Sequence, residues 1–197
     1  MTQVAVVHAD ESCLGNGREG ATPGGAGALI EVRLGKTIVR HDLLLASPDT
    51  TNNRMALHGA IAALQLLARK QRCLSVVYVS DSTYLVKGMT EWVRGWQARG
   101  WRRKGGPIEN IEFWKVLTDA AHLHDVRWRW VRGHAGDVKN EYADALAVRA
   151  AEQQVTTEGA VESGFDAWLD QRRATGQFTD YDPDTAFMTV LSDASLR

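Results

Sequence analysis

Two apolar, β-branched runs, Val4–Val7 and Leu74–Ser80, each lead to an aspartate, Asp10 and Asp81. Runs without a polar partner at every second position suit strands covered on both faces of a sheet, and the second reads as a parallel strand. Such a sheet needs helices on its faces, which restricts the chain more than any other feature. A carboxylate at the end of a central strand is held rigidly yet reaches solvent, so it suits a metal ligand. One alone is only a strand meeting a turn, and the reading needs other elements to deliver carboxylates to the same point.

The remaining pattern supplies those elements. PGGAGALIEVRL (23–34) and TIVRHDLLLA (37–46) read as two strands joined at Gly35-Lys36, so the first three strands form an antiparallel meander. SPDTTNN (47–53) offers N-cap residues before an apolar helix over 54–71. Helical periodicity follows Asp81, breaks in a basic, glycine-containing loop at 100–107, and resumes over 108–124. VRWRWV (126–131) alternates as a strand, and a loop and helix close the pattern by 154. The order β-β-β-α-β-α-α-β-α predicts an α/β domain over 1–154, a five-stranded mixed sheet with helices on both faces. Residues 155–197 form an acidic extension, either a docked helix (the signal returns at 161–173) or disordered.

Charge divides along the same line. The whole chain carries −1, but residues 155–197 hold eight acidic and three basic side chains, so residues 1–154 carry +4. Within 87–104 six basic residues face only Glu91, a patch that points to a polyanionic partner. No apolar run approaches the ~20 residues of a membrane span, and no basic-then-apolar leader opens the chain. Cys13 and Cys73 lack metal-site spacing and read as buried thiols. Together these features predict a cytoplasmic protein with no membrane partner.

If the first and fourth strands are adjacent and parallel, Asp10 and Asp81 emerge side by side at their carboxyl ends, the expected crevice of an α/β sheet. Asp144, four residues after Asn140 on the last helix, offers a third carboxylate. Such a nest is unfavourable without a counter-ion and predicts a hard divalent cation, Mg²⁺ or Mn²⁺.

The strings DESCLGN, TTNNRM, SDSTYLVKG, EWVRGWQARGW, ENIEFW, RWRWVRGHAG and NEYADALA together resemble type 1 ribonuclease H, in that family's order, across residues 3–152. The resemblance implies a ribonuclease H-like fold, a monomer, and endonucleolytic cleavage of the RNA strand of RNA/DNA hybrids with two Mg²⁺ ions. It assigns Asp10, Asp81 and Asp144 to the metals and His134, between Gly133 and Gly136, to proton transfer or product departure. The flanking glycines suggest a mobile loop.

Two positions depart from the family. Ala56 stands where it has a glutamate, and Glu11 where it usually has glycine. Loss of a metal-contacting carboxylate should weaken metal binding or activity by at least ~10–100-fold. Three readings of Ala56 stand side by side: an engineered inactivation, a naturally impaired protein, or compensation by Glu11 as a catalytic and metal-holding carboxylate. The last meets a geometric objection. Consecutive strand residues point to opposite faces, so Glu11 reaches the site only if the strand has turned at Asp10.

For the substrate, the segment 87–107 is similar to the family's basic handle. Lys87, Arg94, Arg99 and Arg102 should grip phosphate without reading sequence. Trp92, Trp96 and Trp101, spaced by four and five residues, read as packing staples, although Trp92 and Trp101 share the binding segment. Thr51, Arg54 and Asn110 match positions that hold a DNA phosphate, and Cys13, Asn16 and Asn53 match minor-groove and RNA contacts. Thr83 stands where the family commonly has glutamine.

Overall fold

The computed structural model describes residues 3–15, 21–69, 73–133 and 135–195. Three long antiparallel strands open the chain: β1 (Val4–Cys13), β2 (Gly24–Leu34) and β3 (Thr37–Ser47). Helix α1 (Asn52–Ala68) crosses to β4 (Ser75–Ser80), which lies parallel to β1 in the register Val4↔Ser75 to Ala9↔Ser80. After α2 (Thr83–Lys87), a π-helical stretch (Gly88–Trp92), α3 (Val93–Ala98) and α4 (Ile111–Ala121), strand β5 (Asp125–Trp130) adds parallel to β4. Helix α5 (Val138–Gln153) follows, then a two-residue strand β6 (Val161–Glu162), α6 (Phe165–Ala174) and α7 (Pro183–Ser195).

The sheet has six strands rather than five, in the order β5-β4-β1-β2-β3-β6. The additional strand comes from the extension and pairs with His41 and Asp42 at the β3 edge. Next to it the Thr156 and Thr157 hydroxyls accept hydrogen bonds from the amides of Ala46 and Leu44. An edge that would otherwise offer unpaired backbone groups is thereby covered.

Each face of the sheet has its own core. Ala5, Val7, Ala9, Val76 and Tyr78 face α1 and α4, whose Leu57, Leu64, Trp114 and Leu117 are fully buried. The handle is anchored here: the Trp92, Trp96 and Trp114 rings meet in sequence at 5.8 and 5.7 Å. A Cβ at Gly88 would fall 1.9 Å from the Trp114 ring, so the helix can pass there only as glycine. On the opposite face α5, α6 and α7 cover the sheet. Phe165 and Leu169 of α6 are buried against Tyr142 and Leu146, and Phe187 of α7 against Val6, Val77 and Val79. The Tyr142 hydroxyl donates to Asp42 at 2.5 Å, and the same carboxylate receives the Ser163 hydroxyl and the Gly164 amide. The extension therefore docks on the α5 face, away from the handle. Neither cysteine is disulfide-bonded. Against expectation neither is fully buried: Cys13 is half-buried and Cys73 exposed, because Cys73 falls between α1 and β4.

Helix α5 lies unusually close to β2. A Cβ built on Gly25 would meet the Ala147 carbonyl oxygen at 2.4 Å, and one on Gly27 the Ala143 oxygen at 2.5 Å. Two glycines on one face of the strand, opposite alanines on the helix, allow backbone to rest on backbone. Gly27→Ala must push α5 outward or strain the sheet. We expect a loss of about 2 kcal/mol or more, within the range for overpacking, read as a drop in the urea midpoint at unchanged slope.

Candidate active site

The site forms where the sheet runs out on one side of β1. Pairing with β4 stops at Ala9↔Ser80, while pairing with β2 continues to Cys13↔Gly24. Asp10 and Glu11 thus overhang the end of β4, and Asp81 follows it immediately. The expectation that β1 closes at Asp10 is corrected, and so is the objection to Glu11. The strand does not turn, and its side chains do leave opposite faces, Glu11 on the α1 face with Ala9. With no neighbouring strand in the gap, the two can bend toward each other around the open edge. Ligand oxygens of Asp10, Glu11 and Asp81 lie within 4.8 Å of one another.

Three carboxylates at this separation repel. Burial, then Asp81, pushes the Asp10 carboxyl up to about 7, with a further contribution from Asp144. Burial, then Asp10 and Asp81, pushes Glu11 up to about 8. Asp10 is oriented by two donors: its Oδ1 accepts the Glu11 amide at 2.7 Å and its Oδ2 the Asn140 side-chain amide at 2.9 Å. Glu11 hydrogen-bonds to Ser82. An all-oxygen, hard, densely negative donor set fits Mg²⁺ or Mn²⁺.

The sequence expectation grouped Asp10 and Asp81 with Asp144. The tight group instead takes Glu11, and Asp144, half-buried on α5, stands outside it while still acting on Asp10 electrostatically. Ala56, 5% exposed, is packed in the α1 core together with Ala9. Ala56 and Glu11 therefore belong to the same face of the sheet. His134 and Asn16 lie outside the described residues. Gly133, which reads as a source of mobility, has a steric role: its Cβ would fall 2.2 Å from Asp81 Oδ2. Gly136 adopts a positive φ of 85°, which favours glycine.

Two residues escape the sequence reading. Asn140, 2% exposed, needs the docking of α5 to become visible, although an asparagine one turn before Asp144 was a signal. Trp130 ends β5 half exposed, and its indole N–H donates to the Asp81 carbonyl at 2.9 Å, fixing the peptide that bears the carboxylate.

Of the residues expected to meet nucleic acid, Lys87, Arg94, Arg99 and Arg102 are exposed, while Trp92 and Trp101 are partly buried against the α1–α4 core. Thr51 caps α1, its hydroxyl accepting the Arg54 amide at 3.3 Å, and the Arg54 guanidinium lies 6.0 Å from the Phe113 ring. Asn110, at a φ of 55°, donates to the Tyr84 hydroxyl, which also receives the Trp114 indole N–H. Thr83 is exposed, and Cys13 and Asn53 are half-buried.

A six-stranded mixed sheet with a carboxylate cluster at the end of its central parallel pair defines a candidate metal-dependent hydrolase. The family model described as RNase H matches residues 2–152. The ribonuclease H of Pelobacter propionicus is 43% identical over 76% of this chain and 85% of its own length. The ribonuclease HI of Caulobacter vibrioides is 45% identical over 75% of this chain and 92% of its own. A crystal structure described as LC9-RNase H1, a type 1 RNase H with the type 2 active-site motif, is 50% identical. It superposes with a TM-score of 0.80 over 85% of this chain and 81% of that one. The chain belongs to the ribonuclease H family and has its fold.

The raised carboxyls set a pH dependence. Asp10 and Glu11 hold protons to higher pH when folded than when unfolded. Their contribution to stability is therefore present below the ordinary carboxylate range, ~4. It is lost as pH rises through about 7 and about 8. Thermal melts in chelator should show Tm falling across this window and Asp10→Asn flattening the fall. Added Mg²⁺ should raise Tm most at the alkaline end, where both groups are ionised.

Proposed function

We propose that this protein cleaves the RNA strand of RNA/DNA hybrids endonucleolytically, using two divalent ions held by Asp10, Glu11, Asp81 and Asp144. The observation that carries the reading is the Asp10–Glu11–Asp81 cluster, with ligand oxygens within 4.8 Å, on a ribonuclease H framework. Bound Mg²⁺ or Mn²⁺ would supply an activated water and stabilise the departing oxygen. The chain's own groups prepare for this. Asn140 and the Glu11 amide fix the Asp10 carboxylate, and Trp130 and Ser82 fix Asp81 and Glu11. His134, next to Gly133 in sequence, is assigned to moving a proton or freeing the product.

Glu11 takes over the charge that Ala56 lacks. Its position on the α1 face and its approach to Asp10 and Asp81 support the exchange. So does a half-identical type 1 relative described as carrying the type 2 active-site motif, which suggests that this framework accepts an altered motif. Lys87, Arg94, Arg99 and Arg102 grip the DNA strand, with Trp92 and Trp101 holding the handle in shape. Thr51, Arg54 and Asn110 receive a phosphate, and Cys13, Asn16, Asn53 and Thr83 lie along the groove. The protein acts as a monomer in the cytoplasm.

A hybrid-cleavage assay in Mg²⁺ and in Mn²⁺ tests the reading on the chain as it stands, on Glu11→Gln, Glu11→Gly and Ala56→Glu. Cleavage by the unaltered chain, reduced at least ~10–100-fold by either Glu11 change, is expected. A chain silent until glutamate returns at position 56 would instead mark a hybrid-binding protein that has lost its chemistry.

A further inference from the structure

We infer that the C-terminal extension is a positioning element of the active site, acting on Asp10 through Lys139 and Asn140. The inference rests on the metal site proposed above and adds to it a part of the chain that lies beyond residue 152, where the family match ends.

Lys139 is in the first turn of α5 and 1% exposed. An ammonium has three hydrogens to donate, and all three are engaged. Two go to Glu31 Oε1 and Oε2, at 2.9 and 2.7 Å, and the third to the main-chain oxygen of Pro183 at 2.9 Å. Pro183 opens α7, so the third acceptor comes from the extension. Phe187, one turn along α7 and fully buried, places its ring 5.9 Å from the same ammonium and packs on Val6 of β1. Arg40, bonded to Glu31, is bonded in turn to Asp184 of α7. Withdrawal of α7 would replace this acceptor and the Phe187 ring by water, and an ammonium drawn toward solvent is no longer held in one position against Glu31.

The next residue after Lys139 is Asn140, whose amide fixes Asp10 at 2.9 Å. One turn further along the same helix is Asp144. Any shift in the first turn of α5 is therefore passed to one carboxylate directly and to a second by rotation of the helix. The β1 strand is held from the same side, with Phe187 against Val6, four residues before Asp10.

The test uses the full chain. Phe187→Ala loosens α7 from β1 and from Lys139. Leu117→Ala, an equally buried truncation in α4 on the opposite face, controls for general destabilisation. Calorimetric titration of Mn²⁺ into the free enzyme, well below either Tm, should show Phe187→Ala weakening metal binding about tenfold, the scale for groups that orient metal ligands. In cleavage, kcat should fall while KM for the hybrid stays the same, and Leu117→Ala should match the parent in both. If Phe187→Ala does not fold, Phe187→Leu, which keeps most of the apolar volume but takes the ring from the ammonium, should shift Mn²⁺ affinity in the same direction by less. Unchanged Mn²⁺ affinity in the folded variant, or a loss no larger than in Leu117→Ala, overturns the positioning role and leaves the proposed function standing. Absence of Mn²⁺ binding by the unaltered chain overturns the proposed function itself.

Discussion

The distance between α5 and the sheet decides everything that happens at the end of β1. Gly25 and Gly27 leave no side chain on their stretch of the β2 face, and Ala143 and Ala147 answer with the smallest side chain a helix favours. Packing then comes from backbone contact and dispersion between closely fitted surfaces, which fade quickly with any gap. A helix held this near can bring a short side chain such as Asn140 to a carboxylate on β1, and it places Lys139 within reach of Glu31 on β2. With larger residues on either surface, the helix would rise and these contacts would open together.

Charge is buried on both sides of this contact, but with opposite logic. Around Glu31 the negative charge is matched by Lys139 and Arg40, so a fully buried carboxylate is tolerated. At the end of β1, Asp10, Glu11 and Asp81 crowd together, and burial raises two of them toward neutrality. His8 lies between the two groups, two residues before Asp10 on the same strand face. Burial, then Lys139 and Arg129, holds its pKa well below the usual histidine value, so it stays neutral and cannot serve as counter-charge to the carboxylates. The balanced group is structural. The unbalanced one is where an external cation gains most.

What the sequence made legible follows the range of the forces involved. The order of elements, the antiparallel opening and the parallel pairing of β1 with β4 come from local patterns, as do the two aspartates that lie where the β1–β4 pairing stops. The packing role of Trp96 also follows from spacing alone. The alternation objection to Glu11 fails because alternation describes a strand between neighbours, whereas here the β4 neighbour stops at Ala9↔Ser80. Asn140 and Lys139 carry no sequence mark of burial, which comes from the glycine track opposite α5 and, for Lys139, from α7 as well. The sixth strand, two residues long, carries no hydrophobic pattern to find. The docking of α7 rests on Phe187, the Pro183 carbonyl and ion pairs of Asp184 and Asp193 with Arg40 and Arg129, none of which distinguishes it in sequence from a tail in solution.

The proposed exchange of a helix carboxylate for a strand carboxylate has a physical consequence. A glutamate at position 56 would hang from α1, whose position relative to β1 is set by side-chain packing in the core. Glu11 is joined to Asp10 by a peptide bond, in a strand hydrogen-bonded to β2 at Glu11↔Ala26. Its separation from Asp10 is therefore limited by covalent geometry and strand pairing, and fixed groups need less reorganisation when a cation arrives. The same closeness adds repulsion in the cation's absence: burial first, then Asp10 and Asp81, raises the Glu11 carboxyl. A site built this way trades stability without metal for a more rigid grip with it. It also places extra demand on whatever holds β1 and α5 together, which here are the glycine track on one strand and the docked extension beneath.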